Sequence, residues 1–139
     1  MDIVLAPDVF VNASVAVGTP PEAVVQRVLG KHKGESRCSQ WVLDRVGQML
    51  TALPEFKPDA VEAQIQLIRG LVQMVELPED FGAGAWEAAM VATAKKAGVK
   101  RVVTDHPDLL EKETSDGVEF VASEAWLIEV TTPPPPPGG

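Results

Sequence analysis

The chain has 139 residues, 45% of them apolar, a single cysteine and a formal net charge of −8. That length and apolar content suit one domain whose core needs no covalent staples, while the lone Cys38 excludes an internal disulfide. No apolar run approaches the roughly 18 residues of a membrane span and no charged-then-apolar leader is present, so a cytoplasmic protein away from any membrane is expected; the acidity opposes indiscriminate attraction to nucleic-acid backbones.

In chain order, Ile3, Val4 and Leu5 form a short apolar strand that stops at Ala6, Pro7 and Asp8, because proline cannot continue the ladder and the backbone leaves the sheet. Asp8 then stands just beyond the exit of a central strand, followed by Asn12 and Ser14. A carboxylate and an amide there suit a hard cation; more commonly such residues satisfy loop amides. Thr19-Pro20-Pro21-Glu22 combines an N-cap, first-turn prolines and a capping-box glutamate, which predicts a helix running to Gly30.

Lys31, His32, Lys33 and Arg37 crowd the next loop, and Lys95, Lys96, Lys100 and Arg101 crowd a later one. Each group is a local phosphate-facing patch or, the commoner case, a solvated face. Trp41, Val42, Leu43, Val46, Met49 and Leu50 repeat at helical spacing and read as core, with Asp44 beside the stripe and Arg45 as a neighbour to pair with. Pro54 and Pro58 mark the break to a helix from about Asp59 to Val72. Met74 to Leu77 makes a short strand, and Pro78 to Gly84 a loop rich in glycine and acid.

The most informative stretch runs from Trp86 to Leu110. Ala85, Ala88, Ala89, Ala92 and Ala94 favour a helix, Lys95 and Lys96 suit its last turn, and Gly98 supplies a left-handed stop. Val99 to Thr104 is β-branched and apolar apart from Lys100 and Arg101, which predicts a central parallel strand with Asp105 at its carboxyl end, where open α/β sheets bind ligands. Glu87 is either a rim acid or a first-turn partner of the helix dipole. His106 is a ligand or proton carrier, or an N-cap; Asp108 is a site acid, or a dipole partner behind Pro107. Leu109 and Leu110 begin a brief helix, Ser115 to Gly117 turns, Val118 to Ala122 forms a strand, and Glu124 to Val130 closes with Trp126, Leu127 and Ile128 packing down.

The order β-α-α-α-β-α-β-α-β-α predicts an α/β domain over residues 1–130, built on a parallel, helix-flanked sheet. Residues 131–139 form a tail with five prolines and two glycines, expected as polyproline II or unstructured chain; it serves as a spacer or as a ligand for an aromatic-lined groove.

E-A-A-M-V-A-T-A-K-K-A-G-V-K-R-V-V-T-D-H-P-D-L-L, from Glu87 to Leu110, resembles the signature of PIN domains, a family that includes the ribonuclease toxins of bacterial toxin–antitoxin pairs. I-V-L-A-P-D-V-F-V-N-A-S at Ile3 to Ser14 resembles the family's first strand and loop, and V-E-F-V-A-S-E-A-W-L at Val118 to Leu127 its closing strand and helix. The middle helices fit in order and length without a specific motif. The resemblance implies a PIN-like three-layer fold with a central parallel sheet of four to five strands flanked by helices. It also implies cleavage of RNA in which clustered carboxylates hold Mg²⁺ or Mn²⁺.

Carried across by position, the family's acids fall near Asp44, on Glu87, and on the cluster Asp105, His106 and Asp108. With Asp8 these make a candidate catalytic set of Asp8, Glu87, Asp105 and Asp108, and a metal set of Asp8, Asp44, Glu87 and Asp105. Asn12 and His106 are accessory candidates; Lys31, Lys33 and Arg37 are candidate RNA contacts. The resemblance further implies a homodimer, for which Phe56, Phe81 and Trp86 offer apolar surface, and an antitoxin or other protein partner.

The chain departs from the family at defined points. Ala6 stands where the first aspartate is usual, and Asp8 where an asparagine is more usual; two strand residues span about 6.6 Å, so Asp8 reaches that point only if the backbone bends at Pro7. Asp44 is shorter and Glu87 longer than the usual acids, and His106 fills a slot where aspartate is common. Two functions follow: a metal-dependent endoribonuclease with a rebuilt site, or a PIN-fold protein without turnover that binds RNA or protein.

Overall fold

The computed structural model describes residues 2–31 and 34–133. The opening apolar triplet is β1 (Ile3–Leu5), buried along its length. Beyond it the chain does not enter the expected loop. It turns at once into α1 (Pro7–Val15), with Ala6 as N-cap. The fixed φ and missing N–H that end a ladder also suit the first helical position, whose N–H has no intrahelical partner.

Next come α2 (Pro20–Val25), which continues as a π-helix over Gln26–Lys31, then β2 (Arg37–Ser39), α3 (Gln40–Thr51), α4 (Pro58–Leu71) and β3 (Gln73–Val75). The second half holds α5 (Trp86–Ala97), β4 (Arg101–Val103), α6 (Pro107–Lys112), β5 (Thr114–Ser115), β6 (Val118–Val121) and α7 (Ser123–Thr131). At the start of α2, Glu22 accepts from the backbone N–H of Gly18 at 2.9 Å, while the Thr19 hydroxyl donates to the Ala16 carbonyl at 2.7 Å instead of capping the helix.

The main sheet has the order β1-β4-β6-β5, with β1, β4 and β6 parallel and β5 antiparallel to β6. The strand expected at Val99 to Thr104 is central, and Val102 and Val103 are fully buried. One parallel sheet of four to five strands is corrected in two respects. β5 and β6 are joined by Asp116 and Gly117, whose φ values of 49° and 82° give the tight two-residue connection that forces an antiparallel hairpin. β2, unforeseen in sequence, pairs in parallel with β3 as a separate two-stranded ribbon.

α5 packs against β1, β4 and β6 of the main sheet and against β2 and β3 of the ribbon. Ala89, Met90 and Ala94 give it a fully buried face; Val9, Val24, Val42 and Val46 fill the core from the helices before it. One apolar assignment is corrected: Ile128, expected to pack down with Trp126 and Leu127, is 59% exposed on the solvent side of its helix. Phe56, Phe81 and Trp86, candidate dimer contacts, are partly buried against the core. Cys38 is buried, and its desolvated thiol is pushed up to about 12. Among the described residues no helix is long and apolar enough to cross a membrane. Residues 134–139, the rest of the proline-glycine tail after Pro133, lie outside the described residues.

Gly98 ends α5 with φ 74°, and the N–H groups of Gly98 and Val99 return to the carbonyls of Lys95 (3.1 Å) and Ala94 (2.9 Å). A Cβ at Gly98 would meet nothing within 4 Å, so a substitution there meets only the backbone penalty. Gly98→Ala is expected to lower stability by about 1 kcal/mol. Gly30→Ala, also in open space but at ordinary helical φ, is expected to raise it by about 0.5 kcal/mol. Urea midpoints of the two variants check both signs.

Candidate functional site

The three parallel strands end side by side. Their ladder runs on past the strands, from Ala6 N–H to the Val103 carbonyl (3.0 Å) and from Thr104 N–H to the Val121 carbonyl (2.9 Å). The exits of β1, β4 and β6, which feed α1, α6 and α7, therefore share one rim. Asp8, the second residue of α1, is only 7% exposed. Its Oδ1 accepts from the Thr104 hydroxyl at 2.8 Å and its Oδ2 from the Asp105 N–H at 2.7 Å. The bend at Pro7 thus returns the carboxylate to the end of β4.

Asp105 passes the connection on. Its Oδ1 accepts from the Ser123 N–H at 2.9 Å and its Oδ2 from the Ser123 hydroxyl at 2.6 Å, which ties the β4 exit to the first turn of α7. The Thr104 hydroxyl also accepts from the His106 N–H at 3.0 Å. Burial pushes the Asp8 carboxyl above its ordinary range; the bonds from Asp105 N–H and the Thr104 hydroxyl oppose the rise, and the nearby Asp105 charge adds to it.

Asp8 and Asp105 lie together at this rim, joined through the Asp105 amide, while the Asp105 carboxylate turns to Ser123. The remaining acids have other partners. Glu87, in the first turn of α5, accepts from the Ser115 hydroxyl at 2.6 Å and pairs with Lys112 at 3.1 Å; these two contacts hold its carboxyl below the ordinary range. Asp44 lies on the exposed face of α3 and accepts from Gln40 Nε2 at 2.8 Å, so its partner is one turn away and is not Arg45. His106 is the N-cap of α6, its Nδ1 accepting from the N–H of Asp108 at 3.2 Å, and Asp108 itself is an exposed first-turn acid. Asn12 is exposed on α1.

The basic groups divide in the same way. Lys31 closes the π-helix, Arg37 donates to the Glu35 carbonyl at 3.0 Å, and Lys33 lies outside the described residues. In the second group Lys95 is bound to Asp116, and Arg101 holds Glu119 (2.8 Å) and, bidentately, Glu129 (2.9 and 2.7 Å). Much of the positive charge there is already neutralised.

A divalent hard cation needs several charged oxygens in one shell. The proposed set is divided instead: two carboxylates at the rim, one on Lys112 and Ser115, one on Gln40. Among the described residues no group of three or more His, Cys, Asp or Glu side chains is placed to hold a metal ion. The residues present do not fit Mg²⁺ or Mn²⁺.

Thr104 and Ser123 escaped the sequence reading because their partners lie 96 and 18 residues away and neither forms a local motif. An aromatic column beside the rim escaped it as well. Trp86 stands edge-on to Trp41 (centroids 5.7 Å, 90°) and tilts against His106 (4.7 Å, 43°). Arg45 lies over Trp41 at 5.4 Å, and the Trp41 indole N–H donates to the Gly82 carbonyl at 2.9 Å. Next to Trp86 and Glu87 a cleft of about 890 Å³ follows α5 past Ala88 and Ala92 to Lys96.

Compared with models of protein families the chain matches none, and no curated protein matches it.

The raised value at Asp8 fixes a sign. The protonated carboxyl is favoured on folding, so its contribution is complete below about 3.8 and is lost as pH climbs through the raised value. Asp8→Asn keeps an acceptor for Thr104 but turns an N–H₂ toward the Asp105 N–H, a penalty of about 1–3 kcal/mol that does not depend on pH. Urea unfolding should therefore show the variant less stable at pH 4, with the gap to wild type narrowing toward pH 7. A gap that widens would mean that the ionised carboxylate is the favoured form.

Proposed function

We propose that this chain is a PIN-like protein of the cytoplasm that works by binding a protein partner, without phosphodiester turnover. One observation carries the proposal: at the rim, Asp8 and Asp105 act as acceptors for Thr104, the Asp105 amide and Ser123, and so cross-link three strand exits. Carboxylates used this way hold the scaffold together where a nuclease would use them to gather charge. The shift from Ala6 to Asp8 has the same consequence, since it moves the acid from the strand end into the first turn of α1, facing β4.

Protein is the better partner on charge. Lys95, Arg101 and Lys112 are in ion pairs, and the chain carries −8 overall, whereas phosphate contacts need cations free to displace counterions. The 890 Å³ cleft along α5, with Trp86, Ala88 and Val91 in its lining, offers an apolar notch that a partner's side chain can enter. A second copy of the chain, or an antitoxin-like protein, is the partner that the family resemblance implies.

A second reading retains one observation: Asp8 and Asp105 do meet at the carboxyl edge of adjacent parallel strands. On that reading the protein is a Mg²⁺- or Mn²⁺-dependent ribonuclease, possessed of Asp8, Glu87, Asp105 and Asp108 and acting as a toxin component. RNA cleavage assayed with millimolar Mn²⁺ separates the two. The binding reading expects wild type and Asp105→Asn to be equally inert and calorimetry to show no saturable Mn²⁺ site. Cleavage that Asp105→Asn abolishes would establish the nuclease.

A further inference from the structure

A second cavity, of about 400 Å³, lies between the start of α3, the end of β3 and the loop that follows it. Its lining carries charges of both signs. α3 contributes Asp44 and Arg45, α4 contributes Arg69, and the loop contributes Glu76, Glu79 and Asp80. Elsewhere on the molecule Lys95, Arg101 and Lys112 each close onto a carboxylate; here, among the described residues, none of these six groups is in an ion pair, Asp44 being engaged by the Gln40 amide.

The cationic side is held in place. Arg45 lies over the ring of Trp41, which is fixed in turn by Gly82 and Trp86. Arg69 donates to Gln40 Oε1 at 2.8 Å, and Gln40 donates to Asp44 at 2.8 Å, which sets the orientation of the amide. Guanidiniums restrained in this way are suited to a planar carboxylate. The acids of the loop would repel a simple anion, yet they would welcome an ammonium. Trp41, Met74 and Phe81 supply apolar surface in the same cavity, whose size is at the lower end for small-molecule sites.

From these juxtaposed charges we infer that the cavity binds a free α-amino acid with an apolar side chain: its carboxylate on Arg45 and Arg69, its ammonium toward Glu76, Glu79 and Asp80, and its side chain against Trp41 and Phe81. This would make the chain a ligand-responsive module, and the inference does not depend on which reading of the rim is correct.

Calorimetry and tryptophan fluorescence on the full chain test it, with L-phenylalanine and L-leucine as probes. The one-charge analogues 3-phenylpropionate and phenethylamine serve as controls. Saturable binding of an amino acid is expected, with each analogue weaker by about tenfold or more. Arg69→Gln should abolish binding, and Glu79→Gln combined with Asp80→Asn should weaken phenylalanine while leaving 3-phenylpropionate no weaker. The analogue series decides on wild-type protein alone if a variant fails to fold. Absence of saturation by either amino acid up to about 10 mM, or 3-phenylpropionate binding as well as phenylalanine, would overturn the inference.

Discussion

The carboxyl edge of the parallel strands depends on one buried acid, Asp8. Asp8 sits in the first turn of a helix that begins immediately after β1, which lies at the edge of the main sheet and not at its centre as the sequence suggests; there a helix N-terminus favours negative charge and desolvation opposes it. Two donors from the neighbouring strand exit, Thr104 and the Asp105 amide, offset part of the desolvation, which still prevails. Because Asp105 is itself bound to Ser123, a single line of hydrogen bonds crosses the ends of β1, β4 and β6. Parallel strands so short, three or four residues each, leave few ladder bonds to fix how their exits are spaced. The side chains at the rim supply what the ladder lacks.

This use of acids shapes the functional reading. A carboxylate can neutralise a metal ion, accept from backbone and hydroxyl groups, or close onto a cation; here Asp8 and Asp105 take the second role and Glu87 adds the third at a separate place. Glu87 illustrates the point: it occupies the expected turn of α5, yet its oxygens go to Ser115 and Lys112. Position in sequence located it correctly, and the neighbours that determine its chemistry arrive from the far side of a hairpin.

Much of the architecture was legible because it rests on local rules. The helix from Trp86 to its Gly98 stop, the buried strand after it and the proline-led start of α6 all follow from propensity, capping and β-branching within a dozen residues. The helix at Pro7–Val15 was misread because proline signals both the end of a ladder and the start of a helix, and only the packing of α1 against α2 and α3 separates the two. β2 was missed because Arg37, Cys38 and Ser39 carry no strand signature by themselves; their pairing with Gln73–Val75 comes from a distant segment. The rim failed to declare itself for the same reason. Asp8 and Thr104 are 96 residues apart, and the hydroxyl that sets the acid's environment looks in sequence like one more β-branched strand residue.

α5 is the roof of two separate sheets, since it packs on strands of both. Lifting that one helix would uncover the main sheet and the two-stranded ribbon together, so neither has a face it can keep dry without the other. A ribbon of two short strands has little capacity to persist alone. The two halves of the chain are therefore expected to melt as one cooperative unit, with strain at either sheet felt by the other through a shared loss of cover.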